Sequence, residues 1–329
     1  MTELIKKNIV MDATLLTSLM NCPRFSDFSF NLNLQSMGGK SNSMECGSIV
    51  HKVVEVYNKS KIAGLNRNDA IAYGMAAGQL YIAGCKYCTG FVPSHMTEDE
   101  HSCEDKQCIL KPQCGHPINE YPGIKNTPQT SDKAYLVGWQ WALDTCEQYL
   151  EYYKNDSWVP LEAEVVKSKI LYEDDEIRIL WKAKLDLLVD TNEAILPVDH
   201  KTMKQNRKNV SLNNQFMGQC LVTDNRKMVV NKIGFQTTLK PQDKFVREIV
   251  SYSAARLTEW QSETLPFYGK LLIMYNEMNH WPPNYSNCNG KFGLCKYTDV
   301  CESDPNMREE VLKANFYVGP VWNPTNDED

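Results

Sequence analysis

Two aspartates and a lysine carry the sharpest chemical signal in the sequence. Asp186 is followed thirteen residues later by Asp199 and then by Lys201, within LDLLVDTNEAILPVDHKT. In an extended strand residues i and i+2 point the same way, so Asp199 and Lys201 share a face while His200 points opposite. An antiparallel return of the chain at Thr191-Asn192-Glu193 would set Asp186 beside Asp199, and two carboxylates and one amine would converge. Hard divalent cations such as Mg2+ and Mn2+ take that kind of ligation, leaving other positions to water and phosphate. A neighbouring lysine can steady an attacking hydroxide and the charge developing on phosphorus. Taken alone, Asp-x-Lys on a strand is more often a solvated face. Here Asp199 follows the apolar run Ala194 to Val198, where an unpaired charge is costly. Upstream, Glu164 lies on an expected strand with Glu162 on the same face, and His51 lies on an expected helix, four residues after Gly47. Downstream, Gln215 opens the helix QFMGQCLV.

The second signal is twelve cysteines, unevenly placed: five from Cys85 to Cys114, three from Cys288 to Cys301, and Cys22, Cys46, Cys146 and Cys220 dispersed. The first residues, MTELIKKNIVMDATLL, lack the apolar centre of a secretion signal, so metal ligation or buried thiols are expected in place of disulfides. Cys288-x6-Cys295-x5-Cys301 lies among Asn, Gly and Tyr without periodicity, as a loop wrapped around a metal would. Cys22, in Cys22-Pro23-Arg24, is the natural fourth ligand. Four thiolates suit a [4Fe–4S] cluster or Zn2+. Cys85-x2-Cys88, Cys103, Cys108, Cys114 and His116 contain enough ligands for a zinc site, with His95 and His101 competing; the alternative is a loop of reduced thiols.

These side chains need elements to hold them. Residues 12–21 read as a helix capped by Asp12 or Thr14 and stopped by Cys22-Pro23. A second helix is expected over 43–60, an irregular Cys-rich insertion over 84–130, and a long helix over 131–153. Strands follow at 161–172, 177–190 and 194–202, then a helix over 212–222, strands at 227–237 and 245–253, and a helix over 254–279. Alternation in 177–190 puts Ala183, Leu185, Leu187 and Val189 on one face and Lys182, Lys184 and Asp186 on the other. The pattern predicts a mixed α/β core with helices around it, in four stretches: 1–60, 61–130, 131–280 and 281–329.

At 329 residues, 42% hydrophobic and 23% charged, the composition is that of a globular protein, so wholesale disorder is excluded. No run approaches the ~20 apolar residues of a bilayer span, and the chain reads as soluble and cytoplasmic. A net charge of −6, from 35 basic and 41 acidic residues, excludes a polybasic binder but not nucleic acid. Lysines can act locally: Lys167, Lys169, Lys182, Lys184, Lys204, Arg207 and Lys208 surround the carboxylates, and the run 201–208 could supply phosphate contacts. Tyr285, Phe292 and Tyr297 could stack on bases or pack in the core.

Gly47-x-x-x-His51, Glu164, Asp186, Asp199-x-Lys201 and Gln215 stand in an order that resembles the PD-(D/E)XK nuclease superfamily, in its RecB-like exonuclease branch, which includes AddB nuclease domains, CRISPR-adaptation nucleases and phage-encoded relatives. The resemblance covers residues 12–60 and about 160–302. It implies a Mg2+- or Mn2+-dependent deoxyribonuclease with His51, Asp186, Asp199 and the His200 carbonyl as ligands, Lys201 orienting the nucleophile, and Gln215 positioning the site. One departure is visible: position 219 is Gln where the family's helix motif has Tyr. The iron–sulfur subset of that branch has one Cys-Pro cysteine before the core and three cysteines after it, which implies a [4Fe–4S] cluster on Cys22, Cys288, Cys295 and Cys301. The implied partner is DNA, single-stranded or with free ends, in recombination, repair or viral DNA processing, alongside proteins of such an assembly; no membrane is implied, and oligomeric state stays open. A non-catalytic DNA-binding or assembly subunit and an iron–sulfur or zinc redox protein remain the alternatives.

Overall fold

A computed structural model describes residues 6–37, 42–83, 133–203, 212–290 and 293–323. The cysteines from Cys85 to Cys114, His116, and Lys204, Arg207 and Lys208 lie outside the described residues. The strands are β1 (Lys7–Met11), β2 (Leu34–Ser36), β3 (Val159–Glu173), β4 (Ile177–Asp190), β5 (Ile195–Met203), β6 (Lys227–Gly234), β7 (Phe245–Ser251), β8 (Asn289–Gly290), β9 (Gly293–Leu294) and β10 (Phe316–Val318). The helices are α1 (Ala13–Asn21), α2 (Pro23–Ser26), α3 (Asn42–Ile62), α4 (Arg67–Ala83), α5 (Lys133–Tyr152), α6 (Asn214–Val222), α7 (Pro241–Lys244), α8 (Ala254–Glu259), α9 (Leu265–Met278), α10 (Thr298–Glu302) and α11 (Arg308–Asn315). The protein is mixed α/β, with a mixed central sheet flanked by helices.

The sheet runs β1-β4-β5-β6-β7, with β3 also on β4. β3 pairs antiparallel along almost the whole of β4. β1 and β5 therefore share the other edge: β1 pairs parallel as far as Met11↔Trp181, and β5 pairs antiparallel only from Leu187↔Val198 to Asp190↔Ile195. Residues 182–186 lie between them, so the sheet forks there. The hairpin that fixes this register turns at Asn192, whose φ of +69° is a left-handed conformation Asn tolerates; its N–H donates to Asp190 Oδ1 at 2.8 Å. Beyond Val198, β5 pairs parallel with β6.

On one face α3 and α5 pack Ile49, Val50, Val53, Trp139 and Leu143 against Ile233 and Phe245 of the sheet. On the other, α1, α6 and α9 bury Leu15, Leu16, Phe216, Cys220 and Leu265 around Trp181. Gly218 lets α6 lie directly on that indole, since a Cβ there would meet Trp181 Nε1 at 2.3 Å. The helix expected over 254–279 is continuous but carries a π turn at Trp260–Thr264, beside Pro266, which cannot donate a backbone hydrogen bond. β1 was not expected; its five residues pair within the sheet, with Ile9 and Met11 buried. The two ends of the chain are joined: β10 pairs antiparallel with β2, and Phe28, Tyr297, Val300 and Phe316 form a satellite core. No helix among the described residues is long and apolar enough to cross a membrane.

Gly218→Ala should therefore lower the melting temperature by several degrees, because a methyl wedged against the indole costs on the order of 1–3 kcal/mol. Thermal unfolding followed by circular dichroism checks this; an unchanged melting temperature would mean that α6 does not seat on Trp181.

Candidate functional site

The fork gathers the acidic residues. Extending the β4–β5 register by one step sets Asp186 opposite Asp199, as the hairpin predicts. No ladder pair continues there. Instead the Asp186 carboxylate accepts the His200 N–H at 2.6 Å, taking the place of a backbone acceptor. Asp199 is fully buried. Its Oδ2 lies 2.8 Å from Lys201 Nζ, and its Oδ1 accepts from Gln215 Nε2 at 2.8 Å. Gln215 Oε1 in turn accepts from Lys201 Nζ at 3.0 Å, so the glutamine clamps carboxylate and ammonium together. Asn213 caps α6 by accepting the Gln215 N–H at 2.8 Å, which fixes where the helix starts and hence where the glutamine stands.

From β3, Glu164 falls between Ala163↔Leu187 and Val165↔Leu185 and so opposes Asp186. Its φ of +53° is left-handed, a conformation costing about 1–2 kcal/mol for a residue with a Cβ. Strain of that kind persists where surrounding structure enforces it, often at sites of function. Glu162 is engaged elsewhere, 2.8 Å from Lys167. From α3, His51 Nδ1 stands 3.7 Å from Asp186 Oδ2. Gly47 permits this approach: a Cβ there would press on Thr202 Oγ1 at 3.1 Å. His51, Glu164 and Asp186 each offer a ligand atom within 4.8 Å of the others. Ligands about 2.1 Å from an octahedral Mg2+ lie about 3–4.2 Å apart, so small side-chain shifts would close this set on an ion. Asp199 sits beside the set, turned toward Lys201 and Gln215. The His51 and His200 rings lie edge to face with centroids 6.2 Å apart, and the His200 backbone adjoins the His51 imidazole.

The electrostatics match an acidic site. Burial, then the Asp199 and Glu164 carboxylates, hold the Asp186 carboxyl well above the usual range. Burial also raises Glu164, partly offset by Lys184 Nζ at 3.1 Å. Burial lowers His51, which favours the neutral imidazole a metal requires. His200 points away from the carboxylates, as strand alternation predicts. Its Nδ1 is 2.7 Å from Asn231 Nδ2, which donates to the Tyr149 hydroxyl at 2.8 Å. Gln219, which the sequence marks only as a departure from the family motif, joins the site: it is buried, and its Nε2 donates to the Lys184 carbonyl at 3.3 Å and reaches Asp199 Oδ1 at 3.5 Å. The signal was there, since Gln215 and Gln219 are four apart on one helix face. Lys169, expected near phosphate, pairs with Asp224.

Cys22, Cys288, Cys295 and Cys301 line one small cavity. All four are free thiols. The Asn284 N–H donates to Cys22 Sγ at 3.3 Å, and the Cys295 N–H donates to the Cys288 carbonyl at 2.7 Å. Burial, then the neighbouring thiols, push Cys288 up. Tetrahedral Zn2+ holds thiolates about 3.8 Å apart. Among the described residues these four are not gathered within 4.8 Å of one another. Tyr297 is buried against Phe25 and Phe28, so it packs and does not stack on a ligand.

No family model and no curated protein matches the chain. The crystal structure of SSO0001 is similar to part of it, at 12% identity and a TM-score of 0.26 over 42% of this chain. The chain spans 62% of the length of that protein.

Two outcomes follow for the metal-free protein. Asp186→Asn should raise its melting temperature by about 2–4 °C, because the amide still accepts the His200 N–H without the cost of holding an ionisable carboxyl in a buried site beside two others. The raised pKa values of Asp186 and Glu164 mean that the folded state holds protons the unfolded chain has lost. Their contribution to stability is full below the ordinary carboxylate range and is lost as pH climbs through the raised values. A cation must displace those protons, so the thermal shift given by Mn2+ should grow as pH rises from about 5.5 to about 7.5 and vanish in Asp186→Asn. Differential scanning fluorimetry reads both.

Proposed function

We propose that the protein is a Mg2+- or Mn2+-dependent deoxyribonuclease with a PD-(D/E)XK-type core, acting on single strands or free DNA ends in recombination, repair or viral DNA processing. The observation that carries this reading is the fork itself: two carboxylates from β3 and β4, an imidazole from α3, and a buried Asp199 clamped to Lys201. His51, Glu164, Asp186 and Asp199, with the His200 carbonyl, would hold the ion. When bound, such an ion lowers the pKa of a ligated water and offsets charge on phosphate. Lys201 has three N–H donors; one goes to Gln215 and the ammonium is paired by charge with Asp199, so a donor remains for the attacking oxygen or a phosphoryl oxygen. The water oxygen adds to phosphorus as the water gives up a proton, one P–O ester bond breaks, and the departing sugar oxygen takes up a proton to leave as a hydroxyl. Gln215 and Gln219 keep Asp199 and Lys201 from reorienting as that charge develops.

We infer further that the cysteine cavity takes a [4Fe–4S] cluster with a structural role. It would cross-link Cys22 to the segment from Cys288 to Cys301 and so restrain two distant parts of the chain, a constraint worth several kcal/mol for a long closed loop, on the order of about 4–5. The zinc reading of the central cysteines rests on their spacing alone.

Anaerobically purified protein with Mn2+ should degrade end-labelled linear DNA, and Asp199→Ala or Lys201→Ala should reduce the rate by about 100-fold or more. Equal degradation by the variants would remove the proposed site. No degradation by the unaltered protein would leave a binding subunit. In the same preparation iron should be present at about four per chain, and Cys295→Ser should lose it; zinc in its place would overturn the cluster.

A further inference from the structure

Helix α9 buries one side and leaves an apolar stripe on the other. Leu265 and Gly269 are buried, and Leu272 and Ile273 pack on the core around Trp181. Phe267, Leu271, Met274 and Met278 follow one another at steps of four, three and four residues, which sets all four on the opposite side of the helix. Phe267 is 58% exposed, Met274 40% and Met278 63%. Apolar residues scattered singly over a surface need no partner, whereas four in one line at this spacing make the seam of a two-helix coil.

We propose that this stripe is the contact between two copies of the chain, with α9 of each packed antiparallel on α9 of the other about a two-fold axis. The axis passes between Leu271 and Met274. Leu271 then packs on the partner's Met274 and Phe267 on the partner's Met278, so every apolar residue of the stripe meets one of the second copy. The seam holds only four residues per copy, so the association is weak and depends on concentration. This pairing stands apart from the nuclease reading.

Charge selects this occupant and this register. Lys270 and Glu277 border the stripe on one side, Tyr268 and Tyr275 on the other. In the antiparallel pair Lys270 lies beside the partner's Glu277, and by symmetry Glu277 lies beside the partner's Lys270. Sliding one helix by a heptad keeps part of the seam but sets two lysines or two glutamates against each other. A parallel pair sets Lys270 beside the partner's Tyr275 and joins no opposite charges along α9. Within one copy Lys270 Nζ lies 2.6 Å from Glu176 and 3.4 Å from Asp174, and Glu277 pairs with Lys7. Lys270 and Glu277 are both exposed, so these surface pairs are shared or exchanged at little cost.

Sedimentation velocity tests this on the full chain, purified anaerobically with reductant so that thiols do not cross-link. The unaltered protein should pass from monomer toward dimer between about 1 and about 200 μM. Met274→Lys should weaken the dimer at least about tenfold, because the seam would bury an unpaired charge, and should leave the melting temperature of the dilute monomer unchanged. Lys270→Glu and Glu277→Lys should each weaken self-association about tenfold, because each sets like charges together twice across the axis. An equimolar mixture of those two variants should dimerise about as tightly as the unaltered protein, since each offers the other opposite charges on both flanks. Any effect within one copy is the same alone and in the mixture, so recovery on mixing reads the contact between copies. A chain that stays monomeric over this range would overturn the pairing. So would a Met274→Lys variant that dimerises as well as the unaltered protein, or a mixture that associates no better than either variant alone.

Discussion

The structure turns on a competition for one edge of β4. β3 occupies the other edge along almost its whole length, so β1 and β5 must share what remains, and neither reaches residues 182–186. Backbone groups at such a break need partners. Asp186 supplies one by accepting the His200 N–H, and Gln219 supplies another by donating to the Lys184 carbonyl. The polar side chains at the fork thus complete a backbone hydrogen-bond system that the sheet itself leaves open. The same side chains form the site.

That arrangement is costly. A packed apolar fork would spare the protein the desolvation of Asp186, Glu164 and Asp199, all withdrawn from water to different degrees. Lysines offset part of the penalty, Lys184 on Glu164 and Lys201 on Asp199. A further cost falls at the fork, the left-handed backbone of Glu164, a residue that does not favour that conformation as the asparagines at the turns do. Desolvated carboxylates and a strained backbone fall together at the fork, and the cation proposed there would offset that cost.

Much of this was legible in the sequence, because its strongest signals are local. Alternation in 177–190 and the Thr191-Asn192 turn gave the β4–β5 hairpin, its register, and the pairing of Asp186 with Asp199. The i, i+2 rule gave the Asp199–Lys201 contact and the opposite orientation of His200. Strand β1 was not legible: five residues carry too little periodicity, and its pairing with β4 spans some 170 positions. The fork followed from β1 and was missed with it. The left-handed turn at Glu164 has no sequence signature, because glutamate is not a residue that favours it. The Asn231–His200–Tyr149 contact joins three elements and could not be read from any one of them. Gln219 was visible as a departure from a family pattern, and its two contacts give that departure a physical content.

The central claim is that the fork binds one divalent cation. Anomalous diffraction from a crystal soaked in Mn2+ addresses it most directly. The account predicts a single strong anomalous peak within coordination distance of Asp186 and at least one of His51 and Glu164, absent from crystals of Asp186→Asn. Side chains left in their metal-free positions with no peak between them, or a peak that persists without the Asp186 carboxylate, would contradict it.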